Sequence, residues 1–123
     1  MSSDDHTRAA DLASYRQLLA AAGGSDLAPR PWQHRGQPPG DCDLVRLAVW
    51  KASDMGVDEQ FVIAGLGLLA SARAELDQIE AGLLFAARGS GMTFQQIAGV
   101  LGLGSGQAAH QRMARVMSRK EQL

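Results

Sequence analysis

Residues 89–112 read Gly89-Ser90-Gly91-Met92-Thr93-Phe94-Gln95-Gln96-Ile97-Ala98-Gly99-Val100-Leu101-Gly102-Leu103-Gly104-Ser105-Gly106-Gln107-Ala108-Ala109-His110-Gln111-Arg112. Gly89-Ser90-Gly91 breaks whatever helix precedes it. Thr93 followed three residues later by Gln96 is a capping box, in which each side chain can satisfy the other residue's backbone N–H. The spacing predicts a short helix over about 94–101 that buries Phe94, Ile97, Ala98 and Leu101. Gly102-Leu103-Gly104-Ser105 then makes a tight turn, and a second helix runs from Ser105 or Gly106 to about Arg119. Two short helices joined by a glycine-containing turn form a helix-turn-helix arrangement. Ala98 is small where the helices should cross, and Ala109, Met113 and Val116 supply the second helix's inward stripe.

Upstream, apolar spacing predicts helices nearly throughout. Leu12, Tyr15, Leu19 and Ala22 recur at three- and four-residue steps over 7–22, with Leu18 widening the stripe, and Gly23-Gly24 ends that helix. Residues 25–40 hold all four prolines, Pro29, Pro31, Pro38 and Pro39, and read as an extended connector. A second helix begins near Asp41, with Asp41 and Asp43 at its positive end. It presents Leu44, Leu47, Ala48 and Met55, flanked by Val45, Val49 and Ala52, and stops near Gly56. A third opens at Asp58-Glu59 and continues to Arg88, with Gly65 and Gly67 as sites of a kink or break. Val62, Leu69, Leu76 and Leu83 repeat every seven residues, interleaved with Gly65, Ala72, Ile79 and Ala86. This seam has two readings, an intramolecular core and a homodimer interface. The expected fold is all-α: an N-terminal helix (1–24), the connector (25–40), a helical body and dimerisation region (41–88), and a C-terminal helix-turn-helix (89–123) without a β-wing.

Charge divides along the chain. The 123 residues carry a formal net charge of −1. Residues 1–87 hold seven basic against twelve acidic residues, for −5; residues 88–123 hold five basic against one acidic residue, for +4. The near-neutral total argues against a protein that coats nucleic acid indiscriminately, whereas the basic end coincides with the proposed second helix of the motif. Cys42 is the only cysteine, which fits a reducing cytoplasm; it reads as a small helix residue or as a reactive thiol. The polar, acidic start, Met1 to Thr7, is unlike a signal peptide, and the apolar run from Phe61 to Ala72 is too short to span a bilayer. A cytoplasmic, nucleoid location is expected.

The second helix carries the chemistry. Gln107, His110 and Gln111 fall on its exposed side, where a carboxamide can pair bidentately with adenine and an imidazole can meet a base edge or phosphate. Ser105 offers its hydroxyl and nearby N–H groups to phosphate. Arg112, Arg115, Arg119 and Lys120 suit backbone phosphates, and Thr93 and Gln95 at the first helix's start join that set. Arg112 also stands where it can pack on the first helix. His6, His34 and His110 are too dispersed for a metal site, and no phosphate loop or nucleophile elbow occurs. Glu75, Asp77 and Glu80 read as surface charge. No catalytic residue, metal or cofactor is expected. Trp32, among Arg30, Pro31, His34 and Arg35, reads as an anchor tacking the connector to the body, with groove contact as the other reading; Trp50 reads as core or interface.

Arg88, Gly91, Thr93-Phe94, Ile97-Ala98, Leu101-Gly102 and the run Gly104-Ser105-Gly106-Gln107-Ala108-Ala109-His110-Gln111-Arg112 resemble the helix-turn-helix of small actinobacterial DNA-binding regulators. Arg73, Leu76, Asp77 and Glu80 are similar to the leading helix of such proteins, so the resemblance covers about residues 71–115. It implies a helix-turn-helix and DNA binding, with no target. The family often has Arg where this chain has Gly106, and an Arg there would be a guanine reader worth about 1–3 kcal/mol of discrimination. Three functions stay open. One is a transcriptional regulator, expected as a homodimer, that sets its recognition helix in the major groove of double-stranded DNA. Another is a protein-interaction module whose acidic N-terminal body docks a transcription-machinery partner beside a degenerate helix-turn-helix. The third is a non-specific nucleoid-associated protein.

Overall fold

The computed structural model describes residues 3–53, 56 and 58–122, with the side chains of Ser3 and of residues 119–122 left out of the description. Among the described residues the fold is all-α: α1 (Ser3–Ala21), a 3-10 turn (Gly24–Asp26), α2 (Asp41–Ala52), α3 (Glu59–Gly89), α4 (Phe94–Leu101) and α5 (Gly106–Gln122), with no strand. The chain forms two compact units, Met1–Arg73 and Ala74–Leu123, so the C-terminal unit takes in the last part of α3 with the 89–123 segment. No described helix is long and apolar enough to cross a membrane.

The first unit closes around Leu19 of α1, Leu44 and Ala48 of α2, and Ala64 and Leu68 of α3, with Leu12, Tyr15, Leu18, Val45 and Phe61 packed against them. α1 begins earlier than its apolar stripe, because Asp4 and Asp5 in the first turn complement the helix dipole. α3 runs through Gly65 and Gly67 as one helix, with no break there. At Gly65 an added Cβ would lie 2.7 Å from the Ala48 Cβ, and at Gly67 it would strike the Tyr15 ring. These glycines permit close packing of neighbours, which offsets their low helix propensity.

Four other expectations are corrected in this unit. Val49 and Ala52 of α2 are exposed, and Val62 of the proposed seam is exposed while Leu69 is half-buried. These side chains line an open apolar groove between α2 and α3 instead of closing the core. The buried positions of α3 here are 64, 65, 68 and 72: Gly65 and Ala72 of the seam are buried, whereas Ala64 and Leu68 take the places expected of Val62 and Leu69. Trp50 is exposed and so is no part of this unit's core, with the Lys51 ammonium 5.7 Å from its ring centre. Trp32 is 77% exposed and anchors nothing. The connector bonds to itself, with Gln33 accepting from the Arg30 N–H and donating to the Pro38 carbonyl and Gln37 accepting from the His34 N–H, and it is tied to α2 by the Arg30–Asp43 pair. With those turns closed locally, the indole is not needed to hold them. Met55 lies outside the described residues.

A polar clamp holds α1, α2 and α3 together in this unit. Arg16 donates twice to Asp41, at 2.8 and 3.0 Å, and once to the Ser71 hydroxyl, which itself donates to Asp41. The Cys42 thiol donates to the Ala72 carbonyl. Burial pushes the Asp41 carboxyl up, but the hydrogen bonds from Arg16 and Ser71 and the Arg16 charge outweigh it and hold the carboxyl below its ordinary value. A depressed folded pKa contributes stability that is present above the unfolded value, about pH 4, and is lost as pH falls through the folded one. The urea midpoint of the protein should therefore drop on acidification below about pH 4. Asp41→Asn should flatten that limb; an unchanged acid limb would show that other carboxylates carry it.

Candidate nucleic-acid interface

The C-terminal unit is built around Ala81 and Leu84 of α3, Ile97 and Ala98 of α4, and Ala109 and Val116 of α5. Phe94, Leu103 and Met113 pack at its margin. Leu101, expected in the core, is instead 37% exposed. α4 turns it outward because Ile97 and Ala98 already fill the crossing with α5. Leu76, Ile79, Leu83 and Ala86 of the proposed seam are exposed. The α3 positions that close this unit are 81 and 84, off the seven-residue repeat.

Local chemistry builds the two-helix motif as the sequence predicts. Thr93 caps α4: its hydroxyl accepts from the Gln96 N–H at 3.1 Å, and the Gln96 side chain accepts from the Thr93 N–H at 2.8 Å. Gly102 ends α4 in the left-handed region at φ 73°, and the Leu103 N–H returns to the Ala98 carbonyl at 2.8 Å. Glycine adopts that conformation without the steric cost of a Cβ. Ser105 then caps α5 by accepting from the Ala108 N–H at 3.2 Å.

Position 106 touches α4. The Gly106 N–H donates to the Gln95 Oε1 at 3.0 Å, and an added Cβ would sit 3.1 Å from the Gln95 backbone nitrogen. A Cβ there is tighter than ordinary van der Waals contact, so the glycine fits a close approach of the two helices. The N–H groups of Gly106 and Ala108 are thereby satisfied within the chain, which narrows the backbone donors that α5 can offer an anion.

Gln107, His110, Gln111, Ala114 and Arg115 are all exposed on α5. Their three- and four-residue spacing puts them along one side of the helix. The face presents carboxamides, an imidazole and a guanidinium over roughly 12 Å at 1.5 Å per residue, and a major groove about 12 Å wide admits a helix of this kind. His110 meets Phe94 edge-on, with ring centres 4.8 Å apart. Arg88 lies 4.3 Å from the Phe94 ring centre and donates to the Met92 carbonyl. Arg115 makes no ion pair among the described residues.

Arg112 stands apart from the other cations. It donates to both carboxylate oxygens of Glu80 on α3, at 3.0 and 2.8 Å. Hydrogen bonding to Glu80 and its charge raise the guanidinium pKa further above its ordinary value. Its partner is α3, not α4, and its fork is engaged in fixing α5. The side chains of Arg119 and Lys120 lie outside the described residues. Sequence reasoning missed the pairs Glu80–Arg112, Gln95–Gly106, Phe94–His110 and Arg88–Phe94. The first spans 32 residues, beyond any helical periodicity, so nothing in the order of residues signals it.

Among the described residues no group of three or more His, Cys, Asp or Glu gathers as a metal site. No protein family, curated protein or solved structure matches this chain.

Proposed function

We propose that the chain binds double-stranded DNA through residues 74–123 and acts as a transcriptional regulator, with α5 lying in the major groove. The observation that carries this reading is the α4–turn–α5 motif, whose outward α5 face is uncovered and polar, within residues 88–123 of net charge +4. Gln107, Gln111 and His110 face base edges. Arg115, with Arg119 and Lys120, meets phosphates, as do the hydroxyls of Thr93 and Ser105 through their hydrogens. Gln95 keeps its Oε1 on Gly106 and turns its amide nitrogen to the backbone of the duplex. Arg112 orients α5 through Glu80. The resemblance of residues 71–115 to small actinobacterial regulators points the same way.

The test is equilibrium binding of the full chain to duplexes of random and genome-selected sequence at several salt concentrations. With three cations on phosphates, log K should fall against log salt with a slope of about −3. Selected sequences should bind more tightly than random ones. No binding at low salt overturns the proposal and leaves a protein-interaction module. A steep slope without preference makes the protein a non-specific nucleoid component.

A further inference from the structure

Residues 30–37 fold as two successive turns of one design, Arg30-Pro31-Trp32-Gln33 and His34-Arg35-Gly36-Gln37. In each, the glutamine N–H donates to the first residue's carbonyl at 3.0 Å. The glutamine side chain accepts from the first residue's N–H in return, at 2.7 Å in the first turn and 2.9 Å in the second. Pro31 presets the φ that the second position of a turn needs, and Gly36 takes φ 80° at the third position of its own. Arg30 fastens the pair of turns to Asp43 of α2. Ordering this much backbone costs free energy. The residues it holds at the tips, Trp32 and Arg35, are nevertheless exposed, the indole by 77%. A tryptophan is seldom left so open.

The chain's other tryptophan stands open near the same anchor. Asp43, Arg46 and Trp50 follow at steps of three and four residues along one side of α2, which puts Trp50 two turns from the Arg30–Asp43 pair. Trp50 is 65% exposed, with the Lys51 ammonium 5.7 Å from its ring centre. Arg35 and Arg46 are exposed and make no ion pair among the described residues. Residues 27–51 hold four basic against two acidic residues, for +2, whereas the rest of residues 1–87 carries −7. Both of those acids are engaged, Asp43 by Arg30 and Asp41 by Arg16. Of the acids that flank the segment, Asp26 is exposed just before the connector, and Asp54 lies outside the described residues.

We infer that the surface made by these turns and the outer side of α2 binds single-stranded nucleic acid. Unpaired bases stack on Trp32 and Trp50, and Arg35, Arg46 and Lys51 meet phosphates. Open aromatic faces interleaved with cations suit a strand, in which bases alternate with phosphates. A tryptophan anchor for a protein partner sits in a desolvated pocket, whereas Trp32 stands among Gln33, His34 and Arg35. A duplex fits less well, because both faces of a paired base are covered and freeing one costs unstacking energy. The strand surface shares no residue with the α5 face, so either reading stands without the other.

Nuclear magnetic resonance of the full chain tests this, since its two indole N–H signals report the two tryptophans separately. Oligo(U) and oligo(dU) of about twelve nucleotides should shift both signals, and a blunt duplex should leave them in place. The two strands differ only in the 2′-hydroxyl, so the tighter one tells whether RNA or DNA is held. Trp32→Ala should weaken the binding read from the Trp50 signal at least about fivefold, and Trp50→Ala that read from Trp32. Trp32→Phe should recover part of the loss, because a phenyl ring still stacks. Arg35→Ala should make the slope of log K against log salt shallower by about 0.7. Inorganic polyphosphate, which has charge without bases, should move the indoles far less than either strand. Indole signals unmoved by both strands overturn the inference. So do shifts as large with duplex or polyphosphate, or movement of one indole alone. Duplex binding that fails while both indoles answer to the strands sinks the α5 reading and leaves this one.

Discussion

Ile97→Ala should lower the stability of the C-terminal unit by about 2–5 kcal/mol, the usual cost of emptying a packed aliphatic site. Ile97 is 3% exposed and sits where α4 meets Ala81 and Leu84 of α3 and Ala109 and Val116 of α5. A small unit has only a few kcal/mol to lose, so this one truncation removes most of what keeps α5 in place. DNA binding should fall with it. Leu101→Ala, on the same helix but 37% exposed, should cost under about 1 kcal/mol. Urea denaturation followed by circular dichroism measures both. Equal losses for the two substitutions would refute the assignment of Ile97 to the core.

The double change Gln107→Ala plus Gln111→Ala should erase sequence preference while sparing affinity for random DNA. A bidentate pairing between a carboxamide and a base is worth about 1–3 kcal/mol of discrimination, so deleting two should weaken binding to the preferred site by about thirtyfold or more. Both side chains are exposed on α5 and neither belongs to the core, which separates this effect from unfolding. Arg115→Ala should act differently, weakening all sequences alike and making the salt slope shallower by about 1. Competition binding with selected and random duplexes resolves the two patterns. If the glutamine changes lower affinity for every sequence equally, those residues hold phosphates and not bases.

The candidate site divides along the same line as the fold. The exposed positions of Gln107, His110, Gln111 and Arg115 follow from helical spacing, given Ala109 and Val116 on the inward side. The engagement of Arg112 with Glu80, and of the Gly106 N–H with Gln95, does not. Both depend on which helices become neighbours. A guanidinium on a helix surface looks alike in sequence whether it points at solvent, at DNA or at a carboxylate many turns away.

Along the chain, short-range chemistry sufficed to place the helix ends and the turn. Thr93 with Gln96, Gly102 and Ser105 act on backbone groups within a few residues of themselves, so their effect is legible without knowing any neighbour. Which side of α3 is buried was not legible. Apolar residues surround much of that helix, and its seven-residue repeat of Val62, Leu69, Leu76 and Leu83 is equally compatible with core and surface. Burial went instead to Ala64, Leu68, Ala81 and Leu84, because close packing of α1 and α2 in one unit and of α4 and α5 in the other rewards shape at each contact. Hydrophobicity is a property of each residue, whereas close packing exists only once the helices have met.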